Sequence, residues 1–163
     1  MPIRKVAKNL IHITVIVASS KAIGPAEFEG GLEYDNLLLL ALDPTVANFE
    51  VQAVRIPWRD ESGREHWYTL DCRINHLDKR AKPLLCEVKS PDVLKKHWAE
   101  FKPKFRAAIH YANEHGSRFK IVTEKEIRTQ YLKSARFFLP FVRRGADASM
   151  QRVLLNALSD VFG

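Results

Sequence analysis

Apolar residues follow two rhythms along the chain, and the switches between them mark out the elements. Ile11, Ile13, Val15 and Val17 alternate with His12 and Thr14, the period-two signature of a strand rich in β-branched residues. Residues 10–18 also follow a basic arm of Arg4, Lys5 and Lys8, as a secretory leader would. The alternation and the polar His12 and Thr14 favour the strand. Gly24, Pro25, Gly30 and Gly31 then punctuate a loop. Leu32, Leu37, Leu38, Leu39, Leu40 and Leu42 predict a helix buried on most sides, stopped by Asp43-Pro44. The second half of Val46–Ile56 reads as a strand, Asp60–Arg64 as a hairpin turn around Gly63, and Trp67–Ile74 as the returning strand. Trp58 and Trp67 flank that turn and are expected to pair across it. After a polar loop over 75–82, Leu84–Lys89 is a short apolar strand.

Ser90 and Pro91 open the main helix as N-cap and first helical residue. Leu94, Trp98, Phe101, Phe105, Ala108, Ile109 and Ala112 recur at three- and four-residue steps, one apolar stripe for the core. Pro103 should kink that helix near Phe101, and Gly116 should end it. Phe119–Val122 reads as a strand and Thr123–Glu126 as a capping box. Beyond Lys133, Phe137, Phe138 and Phe141 mix with Arg136, Arg143 and Arg144, followed by a helix over Ala148–Val161. The order β, α, β, β, β, α, β, α implies an α/β fold with a mixed sheet flanked by helices.

At 163 residues the chain is long enough for one full core, and 46% hydrophobic content excludes a disordered chain. The formal net charge of +7 points instead to a polyanionic partner. Lys95, Lys102 and Arg106 share one polar helix face and are the expected phosphate contacts. No base-reading motif accompanies them. Cys72 and Cys86 are not spaced as a zinc pair; they read as reduced core residues of a cytoplasmic protein. No apolar run is long enough for a membrane span. His97, His110 and His115 lack metal-ligand spacing, so surface or packing roles are expected.

The chemistry sits in short signals. Glu87 and Lys89 are two apart on one strand and share a face, with Cys86 and Val88 on the other. If the strand carrying Asp71 pairs with this one, Asp71 joins that face. Carboxylates so grouped suit Mg²⁺, with Mn²⁺ as a substitute, because both take hard oxygen ligands. Such an ion activates water against a phosphodiester. Lys89 beside it can steady developing charge. Glu33, at the start of the leucine-rich helix, can approach the same edge.

The order Glu33, Asp71, then Glu87-Val88-Lys89 resembles the PD-(D/E)XK nuclease superfamily. The longer match, through Leu32–Pro44, Gln52, Leu70-Asp71, Glu87–Pro91 and Phe119–Ile127, is similar to TnsA, the endonuclease subunit of heteromeric transposases. The resemblance implies a restriction-endonuclease-like fold over residues 1–133; the residues beyond it, 134–163, read as a short helical tail. It also implies Glu33, Asp71, Glu87 and the Val88 carbonyl as metal ligands, Lys89 as the catalytic lysine, and Gln52 as a supporting residue. Leu70 stands where the superfamily has proline, and Glu87 where some TnsA proteins have glutamine. The implied activity is metal-dependent cleavage of DNA at transposon ends, with a DDE-type transposase subunit and an AAA+ ATPase as partners. A stand-alone restriction- or repair-type nuclease, or a catalytically silent binding module on the same fold, are the alternatives.

Overall fold

In the computed structural model, which describes residues 21–24, 28, 30–143, 152, 153 and 156, eleven elements follow one another. They are α1 (Gly31–Leu42), β1 (Val46–Val51), β2 (Arg55–Arg59), β3 (Glu65–Thr69), β4 (Cys72–His76), β5 (Leu84–Val88), α2 (Pro91–Lys96), α3 (Trp98–Glu114), β6 (Arg118–Val122), α4 (Glu124–Ile127) and α5 (Gln130–Arg143). The expected strand over residues 10–18 lies outside the described residues. So does the expected helix over Ala148–Val161, except for Arg152, Val153 and Asn156, which are helical.

The strands β1, β4, β5 and β6 form a four-stranded sheet in the order β1–β4–β5–β6. Its first two pairings are antiparallel and β5–β6 is parallel, so the sheet is mixed. The parallel pair needs a crossover, supplied by α2 and α3. A core of Leu38, Phe49, Cys72, Ile74, Cys86 and Val88 fills one face, with Ile127 of α4 and Leu132 of α5. A second, of Val54, Ile56, Leu70, Leu85, Ala108 and Ala112, fills the other, under α3 and the β2–β3 hairpin. The α/β class and the flanking helices agree with the sequence reading.

Two expected strands prove to be four. The second half of Val46–Ile56, read as a strand, holds the end of β1, the bend and the start of β2, and Trp67–Ile74 is divided between β3 and β4. Both chains bend at the same level. Gln52 adopts φ 54, a left-handed conformation unusual for a residue with a Cβ. Across the bend the Gln52 N–H donates to the Asp71 carbonyl at 3.0 Å and the Leu70 N–H to the Val54 carbonyl at 3.0 Å. The ribbon thus leaves the main sheet without losing its pairing, and β2–β3 becomes a separate two-stranded sheet.

Within the hairpin Trp58 faces His66 and Trp67 faces Pro57. The two tryptophans are one residue out of step and lie on opposite faces, so they do not pair; Trp58 stacks on His66 at 4.9 Å instead. The turn is held by Asp60, whose Oδ1 accepts from the N–H groups of Ser62 and Arg64.

Ser90 caps α2 as expected, its Oγ accepting from the Val93 N–H at 3.4 Å. The interruption of the main helix falls at His97, not near Phe101, and Pro103 lies inside α3. The short α2 buries none of its residues, so no packing holds it in line with α3. The stripe is therefore shorter than expected. Phe105, Ala108 and Ala112 are buried, whereas Trp98 and Ile109 are each 49% exposed. Gly116 ends α3 with φ +63. Glu126 accepts from the Thr123 N–H at 2.9 Å at the start of α4.

Candidate active site

The bend that creates the hairpin also creates the site. Cys72 pairs with Cys86, so β4 would next align Asp71 with Glu87, but there it turns away. The Val88 N–H is left without a β4 carbonyl, and the Asp71 carboxylate takes it, Oδ2 accepting at 2.7 Å. On the other edge of β5, the Lys89 N–H donates to the Val122 carbonyl of β6 at 3.1 Å. The C-terminal end of β5 is thereby fixed between a backbone and a side chain.

The alternation along β5 places Glu87 and Lys89 together and puts Cys86 and Val88 in the opposite core, as expected. Lys89 Nζ lies 2.7 Å from Glu87 Oε1, 3.5 Å from Asp71 Oδ2 and 3.1 Å from the Val88 carbonyl oxygen. Three oxygens from two side chains and the main chain therefore converge on one positive charge. Glu33 and Asp71 line one cavity with Val88, Asn36, Leu37 and Val51, and the Glu33 charge acts on Lys89.

Burial sets the electrostatics. Glu87 is 2% exposed. Desolvation, aided by the neighbouring Asp71 charge, pushes its carboxyl up to about 7 against the pull of Lys89. Burial also draws Lys89 down, but Glu87 and Asp71 outweigh it and hold the ammonium above its usual range. Glu87 Oε2 is buried without a hydrogen bond of good geometry.

Next to it stands a residue that the sequence reading passed over. Tyr68, on the inner face of the hairpin, has a buried hydroxyl without a hydrogen bond of good geometry. Burial first, and the adjacent Glu87 second, push that phenol far above its normal range. Its signal was its phase, since it pairs with the buried Ile56. Asp35 was passed over too. It is 1% exposed in the leucine-rich α1 and is paired with Arg136 of α5, and with Arg128 at 3.6 Å. An acid on a helix read as buried needs such partners.

The Gln52 backbone forms the bend, and its side chain is exposed. Lys95, Lys102 and Arg106 are exposed, but the break at His97 puts Lys95 on α2 and the other two on α3, so they do not share the one helix expected. His97, His110 and His115 are exposed as well.

A divalent ion fits this donor set. The oxygens are hard, and the Lys89 ammonium already shows that a cation is welcome among them. Among the described residues no three carboxylate, imidazole or thiol side chains gather as a metal cluster by themselves; the third oxygen around Lys89 is a main-chain carbonyl. No helix among the described residues is long and apolar enough to cross a membrane.

No curated protein matches the chain. Residues 43–124, from just past α1 to the first residue of α4, match the family described as TnsA-like endonuclease N terminal. The matched stretch carries Asp71, Glu87 and Lys89 and leaves Glu33 outside. The chain belongs to the TnsA-like endonuclease family, and the bend at which Asp71, Glu87 and Lys89 meet lies within the part that defines it.

Proposed function

We propose that the chain is a metal-dependent DNA endonuclease, the nuclease subunit of a heteromeric transposase that hydrolyses phosphodiester bonds at transposon ends. The observation that carries this reading is the convergence of Glu87 Oε1, Asp71 Oδ2 and the Val88 carbonyl on one cationic point. Those oxygens, with Glu33 from α1, would hold Mg²⁺ or Mn²⁺. The ion would lower the pKa of a bound water and neutralise phosphate charge.

The chain's own groups do the rest. The Val88 N–H orients the Asp71 carboxylate. Lys89 stays protonated beside its two acids, and its charge is aimed at the same point, where it can stabilise an anionic transition state. Burial and the Asp71 charge favour the protonated form of Glu87 in the metal-free chain; a bound ion would favour the carboxylate that holds it. The exposed Lys95, Lys102 and Arg106 would add phosphate contacts and affinity without reading bases. Target choice would then fall to a DDE-type transposase subunit, under an AAA+ ATPase. The tail beyond Lys133, with Phe137 66% exposed, is the candidate contact with them.

Incubation with supercoiled plasmid tests the reading. Nicking is expected with Mg²⁺ or Mn²⁺, little with Ca²⁺ and none with EDTA, and Lys89→Ala abolishes it. Equal activity in EDTA removes the metal. Stimulation by a transposase separates the transposition role from a stand-alone nuclease.

A further inference from the structure

Residues opposite one another in an antiparallel pair share a face. In the hairpin, Arg55 faces Thr69, Pro57 faces Trp67 and Arg59 faces Glu65. All six are exposed, Trp67 by 53%. The other face, with Ile56 and Tyr68, is spent on the core under α3. A two-stranded sheet whose inner side is buried thus turns a face with two arginines and a tryptophan to solvent, tempered by one acid, Glu65.

This face is built and firmly attached. The Arg55 guanidinium lies 4.9 Å from the centre of the Trp67 ring, a cation–π contact that holds a long side chain in place while its charge stays in water. Arg59 is four residues further along β2, about 13 Å away at the strand rise. The base of the face is bonded to the site. Thr69 is two residues before Asp71, and the Leu70 N–H donates to the Val54 carbonyl at 3.0 Å beside Arg55. A polyanion lying along Arg59 and Arg55 would run toward the bend that leads into Asp71.

We infer that the outer face of the β2–β3 hairpin is a DNA-backbone contact, in which Arg55 and Arg59 pair with phosphates and Trp67 braces Arg55. The ligand is taken from the nuclease reading; the contact itself follows from register, exposure and charge. Arginine suits phosphate because its planar fork presents paired donors. A protein partner would also accept arginine and tryptophan, but the continuity with Asp71 favours the strand that is to be cut.

The test is fluorescence anisotropy of the full chain with a labelled duplex of arbitrary sequence, in EDTA so that cleavage plays no part. For Arg55→Ala with Arg59→Ala, the slope of log K against log salt should flatten by about two units, nearly one per phosphate released. Trp67→Ala should weaken binding in part, and Trp67→Phe, which keeps a ring under Arg55, should restore it. All these side chains are exposed, so thermal unfolding should match the wild type. A double variant with wild-type slope and affinity, or a wild type that does not bind the duplex, overturns the inference. Plasmid nicking in Mg²⁺ is read in parallel. If the wild type nicks while the hairpin variants bind normally, the nuclease reading stands and this contact falls. If the slope flattens but no Mg²⁺-dependent nicking occurs, the contact stands and the nuclease reading falls.

Discussion

Replacing Glu87 by glutamine keeps the shape of the side chain and removes its charge, which makes the cost of burying that charge measurable. In the folded protein the Glu87 carboxyl is pushed from 4.5 up to about 7, by burial first and by Asp71 second. In the unfolded chain it ionises near its ordinary value. The unfolded state therefore loses its proton first as pH rises, and stability falls between those two values and levels off above the higher one. A rise of that size, at about 1.4 kcal/mol for each tenfold change in proton affinity, amounts to about 3–4 kcal/mol, a large share of a typical domain's stability of about 5–15 kcal/mol. Lys89 does not blur the window. Its folded value is raised, so its contribution is fully present below its unfolded pKa and is lost only in alkali. Other carboxylates do titrate in acid, Asp60 among them at about 2, so the quantity to follow is the difference between variant and wild type. Urea unfolding in EDTA from about pH 4 to about pH 8 should show that difference moving by about 3–4 kcal/mol in favour of Glu87→Gln. A difference that stays constant across that range refutes the argument from burial.

Arg136→Leu leaves Asp35 buried with only the more distant Arg128, and should cost about 3–5 kcal/mol in chemical denaturation; a loss under about 1 kcal/mol would show that Arg128 suffices. Truncation after Lys133 removes Arg136 and the buried Ala135 together, so the shortened chain should be destabilised by at least as much, read as a lower urea midpoint. Asp71→Ala should abolish plasmid nicking while circular dichroism stays native, and retained nicking would misplace the site. Tyr68→Phe removes a hydroxyl without a good hydrogen bond and should change stability by less than about 1 kcal/mol. Because that hydroxyl adjoins Glu87, the variant should raise the Mg²⁺ concentration for half-maximal nicking; an unchanged metal curve would make Tyr68 purely a packing residue.

What was legible in the sequence is what local rules decide. The Asp43-Pro44 stop, the Ser90 cap, Gly63 in its turn and Gly116 at a helix end each depend on a few neighbouring residues, and each stands where expected. Glu87 and Lys89 were joined by parity alone, because side-chain alternation needs no partner strand. The ribbon bend at Gln52 and Leu70 was not legible, since alternation runs through it undisturbed and glutamine carries no left-handed signature. Trp98 kept the helical rhythm but lost its core, because the break at His97 was set by how little α2 packs. The pairing of Asp35 with Arg136 spans 101 positions and depends on where α5 docks, which no window of sequence contains.

Lys89 among its three oxygens also bears on how the protein comes to exist. Acids drawn together at a sheet edge repel one another until something positive arrives. Here the neutralising charge sits one residue past the end of β5, two residues from Glu87, so the edge can close during synthesis without waiting for an ion. On the metal reading, an incoming ion would have to displace or share with a resident ammonium, and that covalently attached rival would lower its apparent affinity.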